Sequence, residues 1–403
     1  MKITRRLLQF SFLALTLMGV FALSGHAERW CPFGGVEAAY GYVTGGDLIC
    51  SLGVSNFYVL GGVLVLALLV RRAFCGYACP IGTAGEWLQL GARRLGIRPL
   101  KVPYVLDRTL ALLKYPVLAV IVYFTCKVGE LVFRGYDPCY ALISRHGTDI
   151  TVWAYVVSGG IVLGSLLLMV PFCRWLCPLA AVFTPFSRVG LTRIKRDAGT
   201  CTDCGACARV CPMGIRVDKE AQVTAARCTS CFDCVAACDQ VTCALNRKAA
   251  QPTATPLTWG PPRFLGARWP KAAVVVILLA CIGVAVAASY AFPLPSFVRT
   301  IGTPPAQTAA VMLRVHGATC RHSTELFVRQ LERRDEFKVR GYLRVEAWPS
   351  PDVSPIRITY DPRATSEAAI KQAITEPVFD LEGGRLRVSA YEIEGYNPLA
   401  ADE

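Results

Sequence analysis

The chain has 403 residues, of which 53% are apolar and 18% charged, and its formal net charge is +14. A soluble domain carries about 25% charged residues, so this composition argues against an ordinary soluble protein. The basic excess lacks the aromatic interleaving of a single-stranded nucleic-acid groove, so no nucleic-acid partner is expected.

Five apolar stretches approach the ~20 residues a helix needs to cross a bilayer. They cover 7–24, 54–70, 109–126, 151–171 and 272–292. The third carries Lys114 and Pro116, and a buried helix is the alternative there. The first follows Lys2, Arg5 and Arg6, and 25–27 offers a cleavage site. Thr4-Arg5-Arg6-Leu7 faintly resembles a twin-arginine signal. Four later stretches favour an uncleaved anchor instead.

Basic residues set orientation. Segment 71–108 carries Arg71, Arg72, Arg93, Arg94, Arg98, Lys101 and Arg108. Segment 172–200 carries Arg174, Arg188, Arg193, Lys195 and Arg196. The alternate connections hold only Arg29, then Lys127, Arg134 and Arg145. The expectation is a multi-pass protein of a bacterial inner membrane, with a cytoplasmic N-terminus and an outward C-terminus.

Two matching motifs follow the second and fourth stretches. They are Phe74-Cys75-x3-Cys79-Pro80 and Phe172-Cys173-x3-Cys177-Pro178. Cys31 with Pro32, and Cys139 with Pro138, precede those stretches on the expected outer side. The arrangement reads as a helix–loop–helix–CxxxCP unit used twice. Thiols at i and i+4 share a helix face, so each pair is a candidate metal chelate or dithiol relay. Two inert buried thiols are the alternative. Cys31 and Cys50 share one loop, and a disulfide between them would contribute about 3 kcal/mol.

Eight cysteines then fall in two runs at 2-2-3 spacing. The first is Cys201, Cys204, Cys207 and Cys211, followed by Pro212. The second is Cys228, Cys231, Cys234 and Cys238, followed by Asp239 where proline is usual. This is the spacing of bacterial two-cluster ferredoxins, in which the fourth cysteines are exchanged. One [4Fe-4S] cluster is expected on Cys201, Cys204, Cys207 and Cys238. The other is expected on Cys228, Cys231, Cys234 and Cys211. Structural zinc rarely uses such runs. The cytoplasmic side expected for this segment also keeps thiols reduced.

Together, the paired CxxxCP motifs and the double run resemble the membrane polyferredoxins across about residues 1–247. That family includes the quinol-oxidising membrane subunit of periplasmic nitrate reductase and the C-terminal half of the nitrous-oxide-reductase regulator. The resemblance implies electron transfer among a quinone pool, cytoplasmic-side clusters and an outer redox protein partner. It implies roles for Cys75, Cys79, Cys173 and Cys177 beside the eight cluster cysteines. The segment from Trp30 to Glu37 resembles outer-loop signatures of related membrane proteins. No flavin-attachment motif and no Cys-x-x-Cys-His haem motif is present.

Residues 251–270 are proline-rich and read as a linker, with Trp259 and Trp269 as interfacial anchors. Beyond it, strands are expected at 311–315, 339–346, 356–360 and 386–393, and helices at 323–333 and 366–374. That order is the βαββαβ ferredoxin-like fold. Gly317-Ala-Thr-Cys320-Arg-His322-Ser323 resembles the metal loop of a heavy-metal-associated domain, with Ser323 at the second cysteine position. Copper is therefore not expected there, and Cys320 and His322 are weak outer metal candidates. All four histidines, His26, His146, His316 and His322, fall on the expected outer side.

The expected architecture is an α-helical integral membrane protein with about five transmembrane helices. Residues 1–196 form the membrane domain and 197–247 a double [4Fe-4S] ferredoxin domain. Residues 248–303 are linker plus fifth helix, and 304–403 are an outer βαββαβ domain. The expected function is an electron-transfer component rather than a stand-alone enzyme. A metal-handling factor and a redox-sensing regulator are the alternatives.

Overall fold

The structure is a computed structural model. It describes residues 2–21, 30–36, 39, 55–100, 102–128, 151–238, 257–261, 269–319, 321–332, 339–350, 352–376, 378–380, 385–387 and 389–396. They fall into two units, Met1–Gly35 with Tyr58–Ala288, and Val36–Phe57 with Ser289–Glu403.

Each predicted apolar stretch carries a helix in the first unit. These are α1 (Lys2–Phe21), α2 (Ser55–Val70), α6 (Lys114–Val128), α7 (Val152–Leu167) and α10 (Ala273–Ala291). Among the described residues only α10 is both long and apolar enough to cross a membrane. Helices α2 and α7 have 16 residues each. At about 1.5 Å per residue they rise ~24 Å, short of the ~30 Å hydrocarbon core. The five-span expectation is thus met at full length once.

Local chemistry explains the shortening. Arg71 takes φ 62° and ends α2. Leu168 turns extended, Val170 takes φ 47° and Pro171 follows, so α7 stops before the predicted end. A residue before proline is pushed out of the helical region. The third stretch breaks after α5 (Tyr104–Leu110) and restarts at Lys114, which leaves Pro116 in the first turn, where its missing N–H costs nothing. Apolar side chains stay uncovered along these helices, including Trp153, Tyr155, Val156 and Leu163 on α7 and Val276 and Leu279 on α10.

Short helices follow each apolar helix. Helices α3 (Ala73–Tyr77) and α4 (Pro80–Arg94) come after α2. A π-helical turn (Phe172–Leu176) and α8 (Pro178–Val189) come after α7, and the short α9 (Ala206–Arg209) lies in the first ferredoxin-type run. The repeats exchange partners. Leu100 N–H donates to the Leu167 carbonyl at the end of α7, and Leu191 N–H donates to the Leu68 carbonyl near the end of α2, both at 2.8 Å.

One apolar core joins Leu66 and Val70 of α2, Tyr77, Cys173, Ile215, Phe232, Val235, Trp259, and Val274 and Leu278 of α10. Each such buried side chain contributes roughly 1.5–3 kcal/mol. The ferredoxin-type segment therefore shares its core with the helices instead of forming a lobe of its own. The region read as a linker also contributes structure. Strand β2 (Leu257–Gly260) pairs antiparallel with β1 (Arg193–Arg196), Trp259 opposite Ile194. Trp259 is buried, its ring 5.4 Å from Phe232, so it packs the core and is no interfacial anchor.

In the second unit, a five-stranded sheet runs β3-β5-β6-β4-β9. Its strands are β3 (Phe297–Ile301), β4 (Ala309–His316), β5 (Leu343–Ala347), β6 (Ser354–Tyr360) and β9 (Glu392–Ile393). Helices α11 (Arg321–Glu332) and α12 (Glu367–Thr375) follow β4 and β6. Strand β3 was not expected, and it pairs with β5 at the sheet edge. The expected strand 386–393 divides: Arg385–Arg387 (β8) pairs with Val378–Asp380 (β7), and only Glu392–Ile393 reaches β4. Inward Leu313, Val315, Val345, Ile356 and Ile358 pack on Phe327, Leu331 and Ile370 of the helices.

Candidate functional site

The two CxxxCP motifs fold alike. Cys79 N–H donates to the Phe74 carbonyl at 3.0 Å, and Cys177 N–H to the Phe172 carbonyl at 2.9 Å. Each is an i→i+5 bond, a π-type turn often found at functional sites. Cys79 (φ −68°, ψ 121°) precedes α4 and Cys177 (φ −60°, ψ 116°) precedes α8. Proline follows each at the first helical position, where φ is preset and no N–H is needed. Backbone N–H groups of Gly82 and Ile81 face the Cys79 sulfur, and those of Ala180 and Leu179 face Cys177.

The structure brings the two motifs to one place. Phe74 meets Phe183 of α8 edge-on, ring centroids 6.5 Å apart. Arg72 reaches across to the Thr184 hydroxyl at 2.7 Å. Burial raises the thiols, Cys177 up to about 12, and negative charge on one would raise its neighbours further. Cys75 responds to Cys79 and Cys177, and Cys173 to Cys177, Cys79 and Cys75. Sequence treated these as two separate pairs. The equal spacing of the two repeats was the signal that they close on each other.

Tandem arginines stand between the cysteine groups, each 1% exposed. Arg71 donates to the Thr192 and Ala225 carbonyls at 2.9 Å each and lies toward Cys228. Arg72 lies toward Cys75, Cys177 and Cys173. Burial lowers both guanidinium pKa values, with the thiols opposing. The left-handed turn at Arg71 sends the two neighbours in different directions. These arginines had been counted as surface orientation signals, and the structure spends them inside.

The ferredoxin-type runs also repeat each other. Left-handed residues fall at Asp203 (φ 48°) and Gly205 (φ 64°) in the first, and at Ser230 (φ 49°) and Phe232 (φ 62°) in the second. Such turns point successive N–H groups inward and suit an anionic centre. Burial lifts Cys207 to about 11, and its thiol neighbours are Cys238 and Cys201. Cys234 is raised by burial and then by Cys231, Cys228 and Cys211, with Cys207 beyond them. Each run's fourth cysteine thus sits with the other run. Ile215 N–H donates to the Cys211 sulfur at 3.4 Å. Among the described residues no three His, Cys, Asp or Glu gather closely enough for one metal ion.

Charged side chains fasten this region. Arg5 of α1 donates to the Gly76 carbonyl at 3.1 Å and to Asp233 at 2.9 Å, and it pairs with Glu86. Gln9 donates to the same carbonyl at 3.0 Å. Asp107, 2% exposed, accepts from Trp175 at 2.8 Å and from Arg174 and Arg227. Burial raises the Asp107 carboxyl, but these donors outweigh it and hold it below the usual range.

Other predicted positions fare differently. Cys320, Cys50, Cys139, His26 and His146 lie outside the described residues. His316 and His322 are exposed. Cys31, expected at the outer face, acts electrostatically on Cys79. Such an interaction does not carry across a ~30 Å bilayer core, so these two do not lie at opposite faces.

A family model described as a 4Fe-4S binding domain matches twice, at residues 52–98 and 150–197. One described as a 4Fe-4S dicluster domain matches residues 193–239. YccM of Escherichia coli is 31% identical over 251 residues, covering 59% of this chain and 69% of YccM. The ferredoxin-type protein NapH of Haemophilus influenzae is 27% identical over 253 residues, covering 58% of this chain and 85% of NapH. The regulatory protein NosR of Pseudomonas aeruginosa is 29% identical over 172 residues, covering 42% of this chain but 24% of NosR. No solved structure matches. With both CxxxCP repeats and the double cysteine run inside these matches, the chain belongs to the membrane polyferredoxin family of 4Fe-4S proteins.

Proposed function

We propose that this chain is a membrane-embedded relay with two [4Fe-4S] clusters in its ferredoxin-type segment. It would exchange electrons with membrane quinone and a redox protein partner. Cys201, Cys204, Cys207 and Cys238 hold one cluster. Cys228, Cys231, Cys234 and Cys211 hold the other. The observation that carries this reading is the exchange of fourth cysteines, Cys238 toward Cys207 and Cys211 toward Cys234. When bound, the clusters supply one-electron chemistry. The chain supplies thiolates, inward N–H groups and the positive charge of Arg5 near Cys231 and Arg71 near Cys228.

Membrane residence rests on α10 and on the uncovered apolar faces of α7 and α10. Quinone is the candidate carrier because both clusters belong to one segment on one side of a ~30 Å core. Residues 304–403 are read as an outer docking domain, with Ser323 where a second copper thiolate would stand.

Electron paramagnetic resonance of anaerobically purified, reduced protein tests this. Two interacting paramagnets are expected. Cys204→Ser and Cys231→Ser should each remove that coupling by damaging a different cluster. Zinc in place of iron in the wild-type protein would overturn the reading.

A further inference from the structure

We propose that the first ferredoxin-type loop, Thr202-Asp203-Cys204, is the face where a water-soluble one-electron carrier protein meets this chain, and that the second loop is the end joined to the helices. This rests on the two-cluster reading above and adds an order to it. It concerns a different face from residues 304–403.

The two loops share a backbone and differ in surroundings. Left-handed residues recur at matching positions, Asp203 with Ser230 and Gly205 with Phe232. Thr202, Asp203 and Cys204 are exposed. Their counterparts Thr229 and Ser230 are 3% and 1% exposed, and Cys231 is half-buried.

The bonds differ in reach as well. Around the first loop they are local. Arg209 donates to the Cys204 carbonyl at 2.8 Å, and Arg196 pairs with Asp203 at 3.2 Å, five and seven residues away. Around the second loop they come from the helices. The Tyr77 hydroxyl of α3 donates to the Ser230 carbonyl at 3.0 Å, and the Ser230 hydroxyl donates to the Val70 carbonyl of α2 at 3.0 Å. Arg72 N–H donates to the Cys228 carbonyl at 3.2 Å, and Arg5 of α1 holds Asp233 at 2.9 Å. Gly76 of α3 lies so near Thr229 that a Cβ there would meet its side chain and its carbonyl at 3.2 Å. The helices thus cover the second loop, and the first is left to solvent.

Electron exchange between proteins weakens steeply with distance. A carrier that cannot enter the helices therefore has its shortest route at the exposed loop. One electron crosses there per encounter, oxidising one protein and reducing the other, with no bond made and no proton moved. The exposed residues nearest Cys204 in the chain include Thr200, Thr202, Asp203 and Arg209. Such a polar set suits a brief electron-transfer encounter, not a permanent apolar interface.

The experiment uses the full chain, purified without oxygen and carrying its clusters. Limited ferricyanide oxidation, followed by thiol alkylation and mass mapping, should label Cys204 and Cys207 several-fold faster than Cys231 and Cys234. Thr202→Lys adds one charge to the exposed loop and leaves every cysteine in place. At low salt it should speed electron exchange with an anionic, sulfonated viologen and slow exchange with a cationic one. Their rate ratio should shift several-fold, and the shift should shrink as salt rises. Labelling that begins at Cys231 and Cys234, or at both loops together, overturns the order without needing any variant. An unchanged rate ratio in iron-replete Thr202→Lys protein overturns the docking face. A wild-type protein holding no iron overturns the two-cluster reading and this order together, so the two failures are told apart.

Discussion

The Asp107 carboxylate accepts a hydrogen bond from Arg227 at 2.5 Å, joining positions 120 residues apart. Arg227 directly precedes Cys228, and Asp107 also holds Arg174 and Trp175 of the second CxxxCP motif. One buried carboxylate therefore fixes the second motif against the start of the second ferredoxin-type run.

Asp107→Asn should be costly. It leaves two half-buried guanidiniums short of a counter-charge beside a buried site, and breaking such a pair costs up to about 3 kcal/mol. The pH dependence follows from the lowered carboxyl. The contribution is full above the unfolded value of about 3.9 and is lost as pH falls through the lower folded value. Acid unfolding of wild type and variant measures it. Equal midpoints near neutrality would show that the three donors do not depend on the charge.

Arg5 should be retained in the mature protein. Its side chain bonds Gly76 in the first motif, Glu86 on α4 and Asp233 between Cys231 and Cys234. Cleavage after residue 27 would remove it and leave Glu86 and Asp233 without that partner. Intact mass of the purified protein should include residues 1–27, allowing for the initiator Met. Arg5→Ala should lower stability by roughly 3 kcal/mol. A mature chain starting at residue 28 would sink this prediction.

Much of the candidate site was readable because its cysteines recur at fixed spacing. The 2-2-3 runs named all eight cluster candidates, and the CxxxCP repeat named the four others. What sequence missed depends on long-range pairing. Strand β2 pairs with β1 across about sixty residues, and no local pattern marks Leu257–Gly260 within its proline-rich surroundings. Arg71 and Arg72 looked like orientation signals because charge alone does not reveal burial. The short ends of α2 and α7 arise from left-handed residues, Arg71 and Val170, whose types give no warning. In the second unit, apolar alternation located β4 and β6, whereas β9 is too short to announce itself.

Orientation remains open to direct measurement. With Arg71, Arg72 and Lys195 buried in the fold, Arg93, Arg94, Arg98, Arg108 and Arg188 are the exposed basic residues among the described residues of the two inner segments. They still favour a cytoplasmic side for the clusters. A reporter fused after residue 247 should behave as cytoplasmic, and one after residue 403 as periplasmic. Both on one side would mean that α10 does not cross.

Trp259 gives the sharpest test of the core that joins helices and cysteine loops. Its indole is 3% exposed, with ring centroids 5.4 Å from Phe232 and 5.8 Å from Trp269. Phe232 holds φ 62° between Cys231 and Cys234, a conformation costing a non-glycine residue about 1–2 kcal/mol. Packing from Trp259 is what can keep that turn in place. Trp259→Ala should cost about 3–5 kcal/mol through the cavity it leaves. It should also loosen Cys231 and Cys234 before it affects Cys201 and Cys204. Iron released on mild chelation should come first from the second run's cluster, read as early loss of the coupled resonance while a single-cluster signal persists. Trp259→Phe, which keeps a ring against Phe232, should restore most of the retention. If Trp259→Ala matches the wild type in chelation rate, the residue is a linker after all and β2 is dispensable to the site.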